Sequence, residues 1–146
     1  MQAHLIILIK KSGYFKYGDM EAISIEGTSK TPTVILEPDN GKIEISGMSI
    51  PEDSMVFYKP ILEWIDGYSK SPAPGTEVII KLDYFNTSSS KFFLDIFQKL
   101  ERLFNTGFEV VVHWYYEVED EDMLGTGEDY QSILKIPFKM ISYEDD

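Results

Sequence analysis

Val78-Ile79-Ile80-Lys81-Leu82-Asp83-Tyr84-Phe85-Asn86-Thr87-Ser88-Ser89-Ser90-Lys91 carries the chain from a strand into a helix. The apolar run at its start has the length and composition of a buried strand, expected over 76–82. After Lys91 the residues Phe93, Ile96, Phe97, Leu100, Leu103 and Phe104 recur at helical spacing, which predicts an amphipathic helix over 91–105. Gly107 is placed to end it in a left-handed conformation. Between strand and helix lies a run of hydroxyls. The first N–H groups of a helix have no intrahelical partner, and the helix dipole favours negative charge there. Two roles follow for Asn86, Thr87, Ser88, Ser89 and Ser90. They can cap the helix, or one hydroxyl can accept a phosphoryl group, adding about −1.5 to −2 charge at a defined surface point. Local chemistry leaves both open.

Downstream, 109–116 is rich in β-branched and aromatic residues and reads as a strand. Strand, helix and strand at this spacing form a βαβ unit with parallel strands. Upstream, 23–26 and 33–37 read as short strands, and Pro38-Asp39-Asn40-Gly41 as a tight turn. The alternating 42–46 is the return strand of a hairpin, with Gly47 expected to end it. A helix should start near Asp53 or Ser54, with Phe57, Ile61, Trp64, Ile65 and Tyr68 on one face and Pro60 marking its first regular turn or a kink. The stretch 117–129 holds seven carboxylates and two glycines, and reads as a loop with a short helix running into 130–133. Pro137 makes 136–141 an edge strand. The fold class expected is α/β: a single-domain mixed β-sheet with an N-terminal hairpin, a βαβ unit and helices packed on one or both faces.

A chain of 146 residues with 43% apolar residues suits one domain with its own core. No cysteine is present, which rules out disulfides and thiolate metal sites and fits a reducing cytoplasm. The formal net charge of −12 argues against nucleic acid and against an anionic membrane surface as partners. Residues 1–19 form an N-terminal extension to a domain at 20–146. Leu5-Ile6-Ile7-Leu8-Ile9 is too short to span a membrane, and no signal-peptide pattern surrounds it. The extension is either an added strand or an over-called start, and the second reading, with Met20 as initiator, is slightly favoured.

Catalytic constellations are sparse. His4 and His113 are the only imidazoles, no Ser-His-Asp arrangement can be assembled, and there is no phosphate-binding glycine loop. Glu117, Glu119, Asp120, Glu121, Asp122, Glu128 and Asp129 lack the ligand spacing of a calcium loop and read as a solvated or protein-docking face. Glu52 and Asp53 could serve as an acid pair, though acids are common at helix starts. Trp64, Trp114, Tyr115 and Tyr116 read as core and rim. A small carboxylate- or metal-dependent enzyme, and a constitutive interaction domain, stand as alternatives.

Three segments taken together carry a resemblance. They are Asp39-Asn40-Gly41-Lys42-Ile43-Glu44-Ile45-Ser46-Gly47 with Ile50-Pro51-Glu52-Asp53-Ser54, then Tyr84-Phe85-Asn86-Thr87-Ser88-Ser89, then Trp114-Tyr115-Tyr116 with the acidic stretch to Gly127-Glu128. In this order they resemble the SiaC family of bacterial regulatory phosphoproteins, over about 23–141. Two departures are visible: Ile50 stands where the family usually has an aromatic residue, and 1–19 have no counterpart. The resemblance implies a STAS-like fold related to anti-sigma-factor antagonists. It implies phosphorylation of Thr87, surrounded by Asn86, Ser88, Ser89 and Ser90, by a dedicated protein kinase, and reversal by a PP2C-type phosphatase. The unmodified form is then expected to bind and activate a diguanylate cyclase, raising cyclic di-GMP and favouring aggregation or biofilm. The protein would be a cytoplasmic switch component without a cofactor, not an enzyme. Glu52, Asp53, Tyr115, Tyr116 and Glu128 are the expected partner surface.

Overall fold

The structure, a computed structural model, describes residues 6–9 and 20–145. Seven strands form one sheet in chain order: β1 (Ile6–Ile9), β2 (Ala22–Ile25), β3 (Thr33–Glu37), β4 (Lys42–Ser49), β5 (Gly75–Phe85), β6 (Glu109–Glu117) and β7 (Phe138–Tyr143). The first four are antiparallel neighbours, and β4 to β7 are parallel. Helices α1 (Ser54–Tyr68), α2 (Thr87–Asn105) and α3 (Glu121–Ile133) make the three parallel crossovers. Each crossover steps to the next strand in the same direction. Right-handed connections therefore lay all three helices on one face. The expected extension over 1–19 and its His4 lie, apart from Ile6–Ile9, outside the described residues.

Strand alternation decides what meets the helices. Val34, Leu36, Ile43, Ile45, Val78, Ile80, Val110, Val112 and Trp114 point to the helical face and are buried. They meet Phe57, Ile61, Trp64, Ile65 and Tyr68 of α1 and Phe93, Ile96, Phe97, Leu100 and Leu103 of α2. Each fully buried aliphatic or aromatic side chain contributes about 1.5–3 kcal/mol. Pro60 sits inside α1, which runs on without a break. Its missing N–H leaves the Val56 carbonyl without the usual partner four residues on.

The last strand, expected over 136–141, is Phe138–Tyr143 with Pro137 just before it, and β2, β5 and β6 each shift by one residue at an end. Four larger differences from the sequence reading each have a physical reason. The β4 strand continues past Gly47 to Ser49, because Gly47 takes φ 101° and lets the ladder shift register without ending. The register steps from Gly47↔Leu82 to Met48↔Tyr84, so Asp83 is skipped. From there the parity of β5 flips, and Phe85 turns inward onto Phe93 and Trp114. The same shift carries β5 on to Phe85. Helix α2 accordingly starts at Thr87, four residues before Lys91, because Asn86 caps it. The acidic stretch is chiefly helix, not loop. Asp120 caps α3 by accepting from the Met123 N–H at 3.0 Å, and Gly127 lets the helix lie against the Trp114 ring.

Candidate functional site

The end of the molecule where β4 and β5 stop brings two helix starts together. At α1 the cap is Asp53, whose Oδ1 accepts from the Val56 N–H at 3.2 Å. At α2 the cap is Asn86, whose Oδ1 accepts from the Ser89 N–H at 3.0 Å. The two starts touch through a 2.6 Å hydrogen bond between the Ser54 and Ser88 hydroxyls. Ser88 Oγ donates to Asn86 Oδ1 at 3.1 Å, so Ser54 is the donor in the shared bond. No acidic residue occupies the first turn of either helix. The first turn of α2 therefore offers its dipole no carboxylate of its own.

Beneath this surface lies a chain of buried hydroxyls that sequence reasoning missed. Ser49 Oγ is 2.6 Å from Tyr58 Oη and 2.9 Å from Ser89 Oγ. Ser89 Oγ also donates to the Ser49 carbonyl at 3.2 Å, and the Asn86 N–H donates to the same carbonyl at 3.0 Å. All three side chains are fully buried. Proton counting sets the direction. Ser89 has the Ser49 carbonyl to donate to, and Ser49 can donate to Ser89. Tyr58 then donates to Ser49, and every buried hydroxyl proton has an acceptor. Burial pushes the Tyr58 phenol far above its ordinary value, which keeps it protonated and donating. One signal for Ser49 was present in the sequence: it continues the inward alternation of Ile43, Ile45 and Gly47.

The four hydroxyls after Asn86 thus have different fates. Ser89 is sealed in the interior. Ser88 is exposed but held by Ser54 and Asn86. Ser90 Oγ donates to the Thr87 carbonyl at 2.6 Å. Thr87 is exposed, at the first helical position, and its hydroxyl makes no hydrogen bond among the described residues. Two large apolar side chains, Met55 and Val56, are more than half exposed on the first turn of α1, next to Ser54.

The residues expected to form a partner surface are divided. Glu52 and Asp53 are exposed at the α1 start, near the hydroxyl cluster, and Glu52 lies 3.9 Å from the Lys30 ammonium. Tyr115 lies on the sheet face away from the helices, its ring centroid 5.7 Å from the Lys81 ammonium. Tyr116 packs against the core. Glu128 is exposed on α3. His113 is half-buried, and its Nε2 has no hydrogen-bond partner among the described residues. Among the described residues, no three His, Asp or Glu side chains converge to hold a metal ion, and no helix is long and apolar enough to cross a membrane. The acids near α3 serve the backbone instead: Glu117 accepts from the Glu119 N–H at 2.8 Å, and Asp120 caps the helix.

Comparison with known proteins places this arrangement. An uncharacterised protein of Pseudomonas aeruginosa strain UCBPP-PA14 is 26% identical over 126 residues, covering 86% of this chain and all of that one. The solved structure of SiaC of Pseudomonas aeruginosa superposes with a TM-score of 0.78 at 26% identity, over 85% of this chain and 100% of that chain. A chain in the crystal structure of the diguanylate cyclase SiaD in complex with its activator SiaC, also from Pseudomonas aeruginosa, gives 0.78 at 27% identity, over 82% and 98%. The sequence pattern of the SiaC family regulatory phosphoprotein matches residues 25–143, and the chain belongs to that family.

Proposed function

We propose that this chain is a phosphorylation-switched adaptor whose acceptor is Thr87 and whose unmodified form binds and activates a diguanylate cyclase. One observation carries the reading. Of the four hydroxyls at the α2 start, Thr87 alone is both exposed and unengaged. A protein kinase transfers the γ-phosphoryl of ATP to Thr87 Oγ1. The new O–P bond forms as the bond to ADP breaks, and the hydroxyl proton leaves to a base of the kinase. A PP2C-type phosphatase resets the switch by hydrolysis. The phosphate sits at a helix N-terminus whose own first turn carries no acid, where anions gain about 0.3–2 kcal/mol. The docking surface includes Met55 and Val56, which a partner can bury. The chain is in this reading a switch component and not an enzyme. Membership of a regulatory phosphoprotein family and the relative's solved complex with a cyclase support it.

The test is cyclic di-GMP synthesis by a purified SiaD-type cyclase titrated with this protein. Wild type and Thr87→Ala should stimulate synthesis, and Thr87→Glu should not. Equal stimulation by all three would favour a constitutive interaction domain and overturn the switch.

A further inference from the structure

Asn86, Thr87, Ser88, Ser89 and Ser90 are all residue types that cap helices well. Local chemistry therefore allows α2 to begin at any of several neighbouring positions, and the start observed makes Thr87 the first helical residue with an unengaged hydroxyl. With the cap at Asn86, Thr87 is the first helical residue and its hydroxyl has no capping task. With the cap one residue later, Thr87 would take extended backbone and its hydroxyl would accept from a first-turn N–H. Some feature outside the cap run has to choose between these frames.

We propose that the buried hydroxyl chain Tyr58–Ser49–Ser89 makes that choice, and so determines which hydroxyl of the run is offered for modification. Ser49, the last residue of β4, holds α2 at two points: its carbonyl receives the Asn86 N–H and the Ser89 hydroxyl, and its own hydroxyl meets Ser89 at 2.9 Å. Ser49 is in turn fixed by Tyr58 of α1 at 2.6 Å. Starting the helix later would withdraw Ser89 from its third-position geometry. It would leave the Ser49 hydroxyl proton without its Ser89 acceptor, and the Ser49 carbonyl without the Ser89 donor, in a site closed to water, which buried polar groups strongly resist. These residues never touch the transferring phosphoryl group. They are positioning residues, and the inference rests on Thr87 being the acceptor.

The test compares wild type with Ser49→Ala, Ser89→Ala and Asn86→Ala. The first readout is the backbone and Cβ chemical shifts of residues 86–90 in isotope-labelled protein, which mark where extended backbone gives way to helix. In wild type the change falls between Asn86 and Thr87. In Ser89→Ala and Ser49→Ala it should move at least one residue downstream, with Thr87 taking extended shifts. In Asn86→Ala it should stay, because the buried chain still sets the frame. The second readout is phosphate mapping by mass spectrometry on protein recovered from its native cells. Wild type should carry the mark on Thr87, and the two Ser variants should lose it there or spread it to Ser88 and Ser90. If either Ser variant fails to fold, Tyr58→Phe, which removes a single oxygen, should show the same downstream movement in part. An unmoved start in the Ser variants, or a start that moves in Asn86→Ala alone, overturns the proposal. Wild type without phosphate on Thr87 sinks the proposed function, while the chemical shifts still decide this one.

Discussion

Gly127→Ala and Gly125→Ala add the same methyl group two residues apart on one helix, and the structure assigns them opposite signs. A Cβ at Gly127 would lie 2.5 Å from both Cδ1 and Nε1 of Trp114, and 2.9 Å from Cε2. Comfortable carbon contacts need about 3.5–4.0 Å, so the ring or the helix has to withdraw by about 1 Å. Trp114 is fully buried among Phe85, Phe97 and Tyr130, and its Nε1 donates to the Met123 carbonyl at 2.9 Å. Overpacking costs about 1–3 kcal/mol, and loss of the indole bond about 1 kcal/mol more. The gain in helix propensity from Gly to Ala returns only about 1 kcal/mol. Gly127→Ala should therefore destabilise by about 1–3 kcal/mol. At Gly125 no atom of the described residues, beyond its chain neighbours and its own helix backbone, lies within 4 Å of the added Cβ, so the propensity gain stands alone and Gly125→Ala should stabilise by about 0.5–1 kcal/mol. Urea unfolding followed by tryptophan fluorescence and circular dichroism measures both. If the acidic segment were a loop, both variants would sit near wild type. A Gly127→Ala protein as stable as wild type would refute the packing argument.

Tyr58→Phe deletes one buried hydroxyl and leaves Ser49 Oγ short of a donor; it should cost about 1–2 kcal/mol in the same unfolding experiment. Thr87→Ala removes an exposed, unengaged hydroxyl and should change stability by less than about 0.5 kcal/mol, so any loss of phosphate incorporation in that variant reports on the site and not on folding. Burial raises the Tyr130 phenol from 10.0 to about 12. Its contribution is fully present below pH 10 and is lost as pH rises toward 12, where the unfolded chain ionises more readily. Equilibrium unfolding across pH 9–12 should show stability falling over that window, and Tyr130→Phe should flatten the fall.

The elements with strong periodicity were legible because burial enforces the period. Phe57, Ile61, Trp64, Ile65 and Tyr68 show their helix, and Ile43 and Ile45 their strand, without help from neighbours. The boundaries around the site were not legible, because distant residues set them. The start of α2 depends on Ser49, 37 residues before Asn86, and no local preference distinguishes Asn86 from the hydroxyls after it. The skipped Asp83 is a property of pairing between two strands, so β5 alone cannot display it. The acidic segment misled for another reason. Two glycines in 13 residues read as breakers, whereas one of them makes room for an indole that arrives from β6. Tyr115 and Tyr116 show the limit of adjacency: strand alternation sends neighbours to opposite faces.

Under the proposed switch, how a phosphate on Thr87 would veto docking follows from comparing two costs. The chain already carries a net charge of −12, so two further charges change its long-range field by a small fraction. At physiological salt that field decays within about 8 Å. Desolvation is the larger effect. Covering Met55 and Val56 gives a partner at most about 3–6 kcal/mol. Forcing an adjacent dianion out of water costs several kcal/mol per charge unless the partner supplies matched cations. The local penalty is enough to cancel the contact without any movement of the fold. The two mechanisms separate in a salt titration of cyclase binding by Thr87→Glu. Long-range repulsion would be relieved at 0.5 M salt, where the screening length shrinks to about 4–5 Å, and binding would return. Desolvation is nearly indifferent to salt, so binding should stay weak, and its recovery at high salt would overturn this account of the switch.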